Sequence, residues 1–226
     1  MNTNSLNKET EMNILYRRIL SMVFCCLMLS ATSQYAESSD DTHRWPGFRG
    51  LGECQATVKE LPLAWEENKN IKWSIDLPGF GQSSPVVWDG RVFVTSSAGD
   101  MKETLIVKCL DLADGKEFWT RKFDTSQKIK RNKNNSQCAP TPAVDANRLI
   151  AFFESGDLIA LDHDGKKLWS RSLSKEYGAF SESHGIASSV AQTDNSIILL
   201  IAHKGPSYLI SIDKKSGANN WKVDQP

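Results

Sequence analysis

The sequence carries no excess of charge of either sign: 27 lysines and arginines meet 27 aspartates and glutamates in 226 residues. A balanced chain has no global field to draw in nucleic acid or an anionic membrane. Metal and nucleophile signatures are missing as well. The histidines, His43, His163, His184 and His203, show no pair at zinc-ligand spacing, and no Cys-x-x-Cys occurs. There is no Gly-x-Ser-x-Gly elbow for a serine hydrolase. The apolar run 19–30 is too short for a bilayer, which needs ~20 apolar residues. No long helical pattern appears; apolar residues come in short runs bounded by Gly, Asp, Asn and Pro, which reads as all-β.

What the chain does hold begins with Arg17-Arg18, the apolar run and small residues behind it. That order predicts a secretory signal peptide with cleavage between Ser33 and Glu37, so that residues 1–36 are signal and short linker. An uncleaved anchor is the alternative. Neither Cys25 nor Cys26 follows a lipobox-type small residue, so no lipoprotein is read. Export places the mature chain in an oxidising compartment with Cys54, Cys109 and Cys138. An odd count leaves at least one thiol free, and Cys109 reads as a small buried hydrophobe.

The strongest signal is a stretch written three times, over 109–119, 160–169 and 211–221. Each copy has a short apolar strand, an aspartate (Asp111, Asp162, Asp213), a glycine turn (Gly115, Gly165, Gly217) and a tryptophan four residues later (Trp119, Trp169, Trp221). The tryptophans fall 50 and 52 residues apart, near the ~40–50-residue period of four-stranded propeller blades. A single sheet cannot bury both faces, so blades stack, and a large flat aromatic covers much area at low entropy cost. The glycines permit turn conformations that a Cβ penalises, and the aspartates cap the turn backbone. The repeat is thus a docking device between blades.

Strands are expected at 83–88, 91–95, 104–110 and 117–123, then at 141–144, 148–153, 157–161 and 167–171, then at 186–190, 196–201, 208–212 and 219–223. This places blades at 81–123, 139–173 and 186–223, behind an N-terminal extended segment, 37–69. Between them, 70–76 alternates Ile71, Trp73 and Ile75 with polar neighbours, as a strand with one buried face does. It has no blade of its own before it. The predicted fold is an all-β, partial β-propeller of four-stranded antiparallel blades: three blades plus one orphan closing strand. Propellers use ~4 to 8 blades, so a truncated propeller is expected; the rival is a small protein that closes by oligomerising through open edges.

The pattern Ala-x-Asp-(turn)-Gly-x-x-x-Trp resembles the docking repeat of pyrroloquinoline-quinone-type (PQQ-like) β-propellers, shared by quinoprotein dehydrogenases and scaffolds of the BamB type. Trp45-Pro-x-Phe-Arg-Gly50 and the Leu77–Pro85 stretch after Trp73 are similar to the start of exported members. His184-Gly-Ile-Ala-Ser-Ser189 is similar to their third-blade start, although Val190 stands where Pro is usual. The resemblance covers Arg44 to the end. It implies either an exported, non-catalytic module that binds a protein or cell-envelope component, or a dehydrogenase with PQQ and calcium. The adjacent Cys pair with a redox role in some quinoproteins has a counterpart only in Cys25-Cys26, within the predicted signal. No calcium constellation can be named, so no catalytic or metal residue and no cofactor is assigned, and the binding module is favoured. A glycan-binding propeller is neither supported nor opposed.

Among local motifs, Gly79-Phe-Gly precedes a strand with Pro85 rather than a helix and reads as structural. Asp162-His-Asp-Gly165 lacks the later ligands of a calcium loop and reads as a blade turn. Two long connections, 124–138 and 174–185, overhang one mouth of the central channel, where propellers commonly bind ligands. Lys130, Arg131, Tyr177 and His184 are the candidate rim residues, with a solvated loop as the bland alternative.

Overall fold

The computed structural model describes residues 44–50, 61–66, 69–128, 135–136, 138–181 and 185–225. All of these lie in one compact unit, Thr42–Pro226. Twelve strands among them form three four-stranded sheets. Blade 1 is β1 (Val86–Trp88), β2 (Arg91–Ala98), β3 (Thr104–Asp111) and β4 (Glu117–Asp124). Blade 2 is β5 (Ala143–Val144), β6 (Leu149–Phe152), β7 (Asp157–Leu161) and β8 (Lys167–Ser172). Blade 3 is β9 (Ala191–Gln192), β10 (Ser196–Ile201), β11 (Tyr208–Asp213) and β12 (Asn219–Asp224). Each strand pairs antiparallel with its sequence neighbour, as short turns require.

One register runs through all three blades. Phe93, Cys109 and Trp119 stand opposite one another in blade 1, as do Ile150, Ala160 and Trp169 in blade 2 and Ile198, Ser211 and Trp221 in blade 3. A bulge follows the central residue in each case, at Cys109/Leu110, Ala160/Leu161 and Ser211/Ile212. It shifts the outer strand by one residue just before the glycine turn.

The core lies between blades. Phe93, Val107, Cys109 and Trp119 of blade 1 pack on Leu149, Ala151, Ile159 and Leu161 of blade 2. The opposite face of blade 2, with Ile150, Phe152, Leu158 and Ala160, packs on Ile197, Leu199, Ile210 and Ile212 of blade 3. Blade 2 is therefore buried on both faces, and every residue of β7 is buried. Blade 3 is covered on one face, so β10 alternates between buried and more exposed positions.

Two local expectations are corrected and one short element is added. Residues 71–77 form no strand, and Ile71 and Ile75 are exposed; alternation alone does not make a strand without a hydrogen-bonded neighbour. The innermost strand of blade 3 is Ala191–Gln192, not 186–190. The earlier residues bond across to blade 2 instead, where Val190 N–H donates to the Thr141 carbonyl at 3.2 Å. A proline has no such N–H, so Val190 makes a bond that the usual residue cannot. Finally, a one-turn helix, α1 (Leu173–Tyr177), follows β8, capped by Ser172 Oγ accepting from Lys175 N–H.

Candidate functional site: blade seams and the two ends of the axis

The repeat tryptophans act as docking rings. Trp73 lies on Gly115, Trp119 on Gly165 and Trp169 on Gly217; an added Cβ would sit 2.7, 2.8 and 2.8 Å from the respective ring. All three glycines have positive φ, from 74° to 79°, so only glycine fits both the turn and the ring. Each indole N–H donates to a carbonyl of the same turn: Trp73 to Leu112 at 3.0 Å, Trp119 to His163 at 2.8 Å and Trp169 to Lys214 at 2.9 Å. The aspartates hold those turns from below. Asp111 accepts from Ala113 N–H, Asp162 from Asp164 and Lys166, and Asp213 from Lys215 and Ser216. The Ser216 hydroxyl and N–H hold the Asp213 carboxyl below the ordinary aspartate range.

Arginines complete two of these seams. Arg91, at the start of β2, donates to the His163 carbonyl, and Arg121, two residues after Trp119, donates to the Gly165 carbonyl. Arg148 and Arg171 repeat the arrangement on the Lys214 and Gly217 carbonyls. Each turn thus receives an indole and two guanidinium groups, a charge-assisted set stronger than neutral hydrogen bonds. Glu176 beside Arg171 further raises that guanidinium's pKa. The arginines were missed in the sequence, although Arg121 and Arg171 stand at the same offset, two residues after Trp119 and Trp169, and that pair carries a signal.

The residues that lead into the inner strands are joined from blade to blade. Ser84 N–H donates to Thr141 Oγ1 and Thr141 N–H to Ser189 Oγ, both at 3.1 Å. Residues 44–50 strap the end of the axis at which β1 turns into β2. Trp45 exchanges two backbone hydrogen bonds with Val87 of β1, at 2.8 and 2.9 Å. The Pro46 carbonyl accepts from Val144 N–H of β5 at 2.9 Å and from Gln192 Nε2 of β9 at 3.1 Å. One short segment therefore ties all three blades, with Gly50 (φ 68°) closing its turn under the Trp45 ring.

The long connections lie at the other end. Gln127 and Phe180 exchange two hydrogen bonds, at 2.7 and 2.9 Å, joining the connections after blades 1 and 2. Asp157, nearly buried, gathers Thr125, Ser126 and Ser155. Of the candidate rim residues, Lys130, Arg131 and His184 lie outside the described residues. Tyr177 lies at the end of α1, against the blade 2–blade 3 seam. There its hydroxyl accepts from Asn219 Nδ2 at 2.6 Å and its ring meets Tyr208 edge-on. The signal peptide, Cys25, Cys26 and Cys54 also fall outside the described residues.

Cys109 and Cys138 are free and buried. Burial pushes the Cys109 thiol up to about 11 and the Cys138 thiol higher still, away from reactive thiolate. Gly79, within the Gly-x-Gly motif, brings the chain against the Ser97 carbonyl rather than making an anion cradle. Among the described residues no three His, Cys, Asp or Glu side chains gather to hold a metal ion. Nor is any described helix long and apolar enough to cross a membrane.

Stacked four-stranded blades with tryptophan rings in glycine sockets define a PQQ-like β-propeller repeat protein. The family model described as outer membrane protein assembly factor BamB matches residues 55–226, and the chain belongs to that family. No curated protein sequence matches the chain. Among solved structures, BamB from Moraxella catarrhalis is similar with a TM-score of 0.48 at 17% identity, over 68% of this chain and 43% of that one. Quinohemoprotein alcohol dehydrogenase from Comamonas testosteroni gives 0.48 at 19%, over 65% of this chain and 21% of that one. A europium-containing methanol dehydrogenase gives 0.45 at 16%, over 64% and 26%. The chain thus spans less than half the length of each.

Proposed function

We propose that this chain is the propeller part of an exported, non-catalytic binding module that holds a protein or another cell-envelope component in the periplasm or envelope. The observation that carries this reading is the strap at residues 44–50, which closes one end of the axis across three blades. Binding is then left to the end of the long connections, where loops on a rigid scaffold are free to carry it. The buried polar chemistry supports the same reading, because arginines, aspartates and indoles are spent on blade turns. The family's own description, an assembly factor, fits a partner-binding role.

The test uses the full chain in two arms. Cross-linked pull-down from envelope fractions should recover a defined partner, and reversing charge at Lys128, Lys130 and Arg131 should remove it while the circular dichroism spectrum stays unchanged. Added PQQ with calcium should neither shift the absorbance nor support dye-linked oxidation of alcohols or sugars. A positive second arm replaces the binding module by a quinoprotein oxidoreductase.

A further inference from the structure

The three blades are tied at both ends, by different chemistry. The strap at 44–50 crosses them through backbone groups and the Gln192 amide, none of which titrates. At the other end the tie runs through an imidazole. Phe180 is bonded to Gln127 of the connection after blade 1, and its buried ring lies against Phe152 and, at 5.0 Å, against the His203 ring. The next residue, Ser181, donates its N–H to His203 Nδ1 at 3.3 Å, and Gly205 N–H donates to the same nitrogen at 2.8 Å. Lys204 N–H closes the tie on the Ser181 carbonyl at 3.0 Å. A Cβ on Gly205 would stand 2.5 Å from the His203 ring, so glycine permits the approach. His203 and Gly205 lie in the turn between β10 and β11, so one side chain joins the connection after blade 2 to blade 3, and Gln127 carries the tie on to blade 1.

We propose that His203 is a proton-operated latch on the connections at this end, closed while its imidazole is neutral and open when Nδ1 is protonated. Two N–H groups converge on Nδ1, which fixes the neutral tautomer with the lone pair there and the proton on Nε2. A proton on Nδ1 sets N–H against N–H and removes both bonds together. Because the open form takes up the proton, falling pH favours it, through the histidine range near ~6.5. The charged groups about the latch are few. Residues 178–181 carry none, Lys204 on the turn itself is exposed, and Glu176 of α1 is committed to Arg171. Lys128 follows Gln127 in the chain, and Glu182 and His184 follow Ser181. The effect of the latch on binding rests on the proposed role of this end of the axis.

Amide hydrogen exchange followed by NMR on the full chain, expressed as protection relative to the unstructured rate at each pH, reads the latch without any ligand. In the wild type, protection at Ser181 and Gly205 should fall severalfold from about pH 7.5 to about pH 5. Protection at Val87 and Val144, whose N–H groups the strap receives, should hold over the same range. His203→Asn keeps an acceptor at the place of Nδ1 that does not titrate, and its protection should stay level. His203→Ala should lack the protection at both pH values, and Glu182→Gln/His184→Gln protein should keep the wild-type fall. Unchanged wild-type protection overturns the proposal, and so does a fall shared by Val87 and Val144. A fall that persists in His203→Asn protein, or vanishes in Glu182→Gln/His184→Gln protein, assigns the proton elsewhere and overturns it too. Repeating the envelope pull-down at both pH values separates latch from binding. Recovery of no partner at either pH sinks the binding-module reading and leaves the exchange result to decide the latch alone. Equal wild-type recovery at both, while protection falls, removes the latch from binding.

Discussion

The seam between blades 1 and 2 and the outward face of blade 3 are built on the same register with opposite outcomes. Trp119 is 8% exposed, over Gly165, with Arg91 and Arg121 on the same turn; Trp221 is 42% exposed with Ser196 and Val223 at those places. The difference shows that a repeat residue is not a site by itself. A tryptophan contributes to stability only when a turn carbonyl and a glycine receive it, so the next blade, not the local sequence, decides what the ring does.

The largest contrast is expected from the rings. Trp119→Ala should cost about 3–5 kcal/mol by chemical denaturation, since it leaves a cavity over Gly165 and removes a donor from the His163 carbonyl. Trp221→Ala should change stability by less than about 1 kcal/mol, because surface substitutions away from packed features do little. Equal costs would break the comparison. Next come the sockets. Gly165→Ala should cost about 2–4 kcal/mol, from left-handed backbone strain and a Cβ pressed on the Trp119 ring. Gly90 has φ 76° but nothing within 4 Å of an added Cβ, so Gly90→Ala should show only the backbone part, about 1–2 kcal/mol. A third pair tests the arginines. Arg121→Met should cost about 1–2 kcal/mol through its bonds to the Gly165 and Asp164 carbonyls, whereas Val223→Arg on the open face should change stability by less than about 0.5 kcal/mol.

The ring pattern was legible because it is periodic and uses a rare residue. Strand boundaries were readable wherever a turn pinned them: 157–161 and 196–201 are observed as read. Residues 186–190 were misread because their hydrogen bonds run to a different blade, and no local pattern reports that. The orphan strand failed for the same reason, since Trp73 is fixed by the Leu112 carbonyl and not by neighbours along its own backbone. The strap at 44–50 was recognisable only as a turning segment, because its role depends on three inner strands meeting at one point. The rim candidates rested on loop length and charge alone, and of these Tyr177 is the one whose contacts are described, against Asn219 and Tyr208.

The smallest expected effect separates the turn of a closed seam from the open ring next to it. Asp213 caps the turn that receives Trp169, and its carboxyl is held below the ordinary range chiefly by the Ser216 hydroxyl, with the Ser216 and Lys215 N–H groups. A depressed folded-state pKa means that the carboxylate's contribution is present above the unfolded value and is lost as pH falls through the folded one, a window below about pH 4. Acid titration should therefore loosen the Trp169 socket before global unfolding, seen as a red shift that is absent in Trp169→Phe protein and retained in Trp221→Phe protein. Ser216→Ala should move the Asp213 titration, followed by carboxyl NMR, up toward the ordinary aspartate range, because the first of its three donors is gone. If the midpoint stays where it was, the backbone N–H groups alone hold the carboxylate, and the turn is prepared for its tryptophan without the side chain.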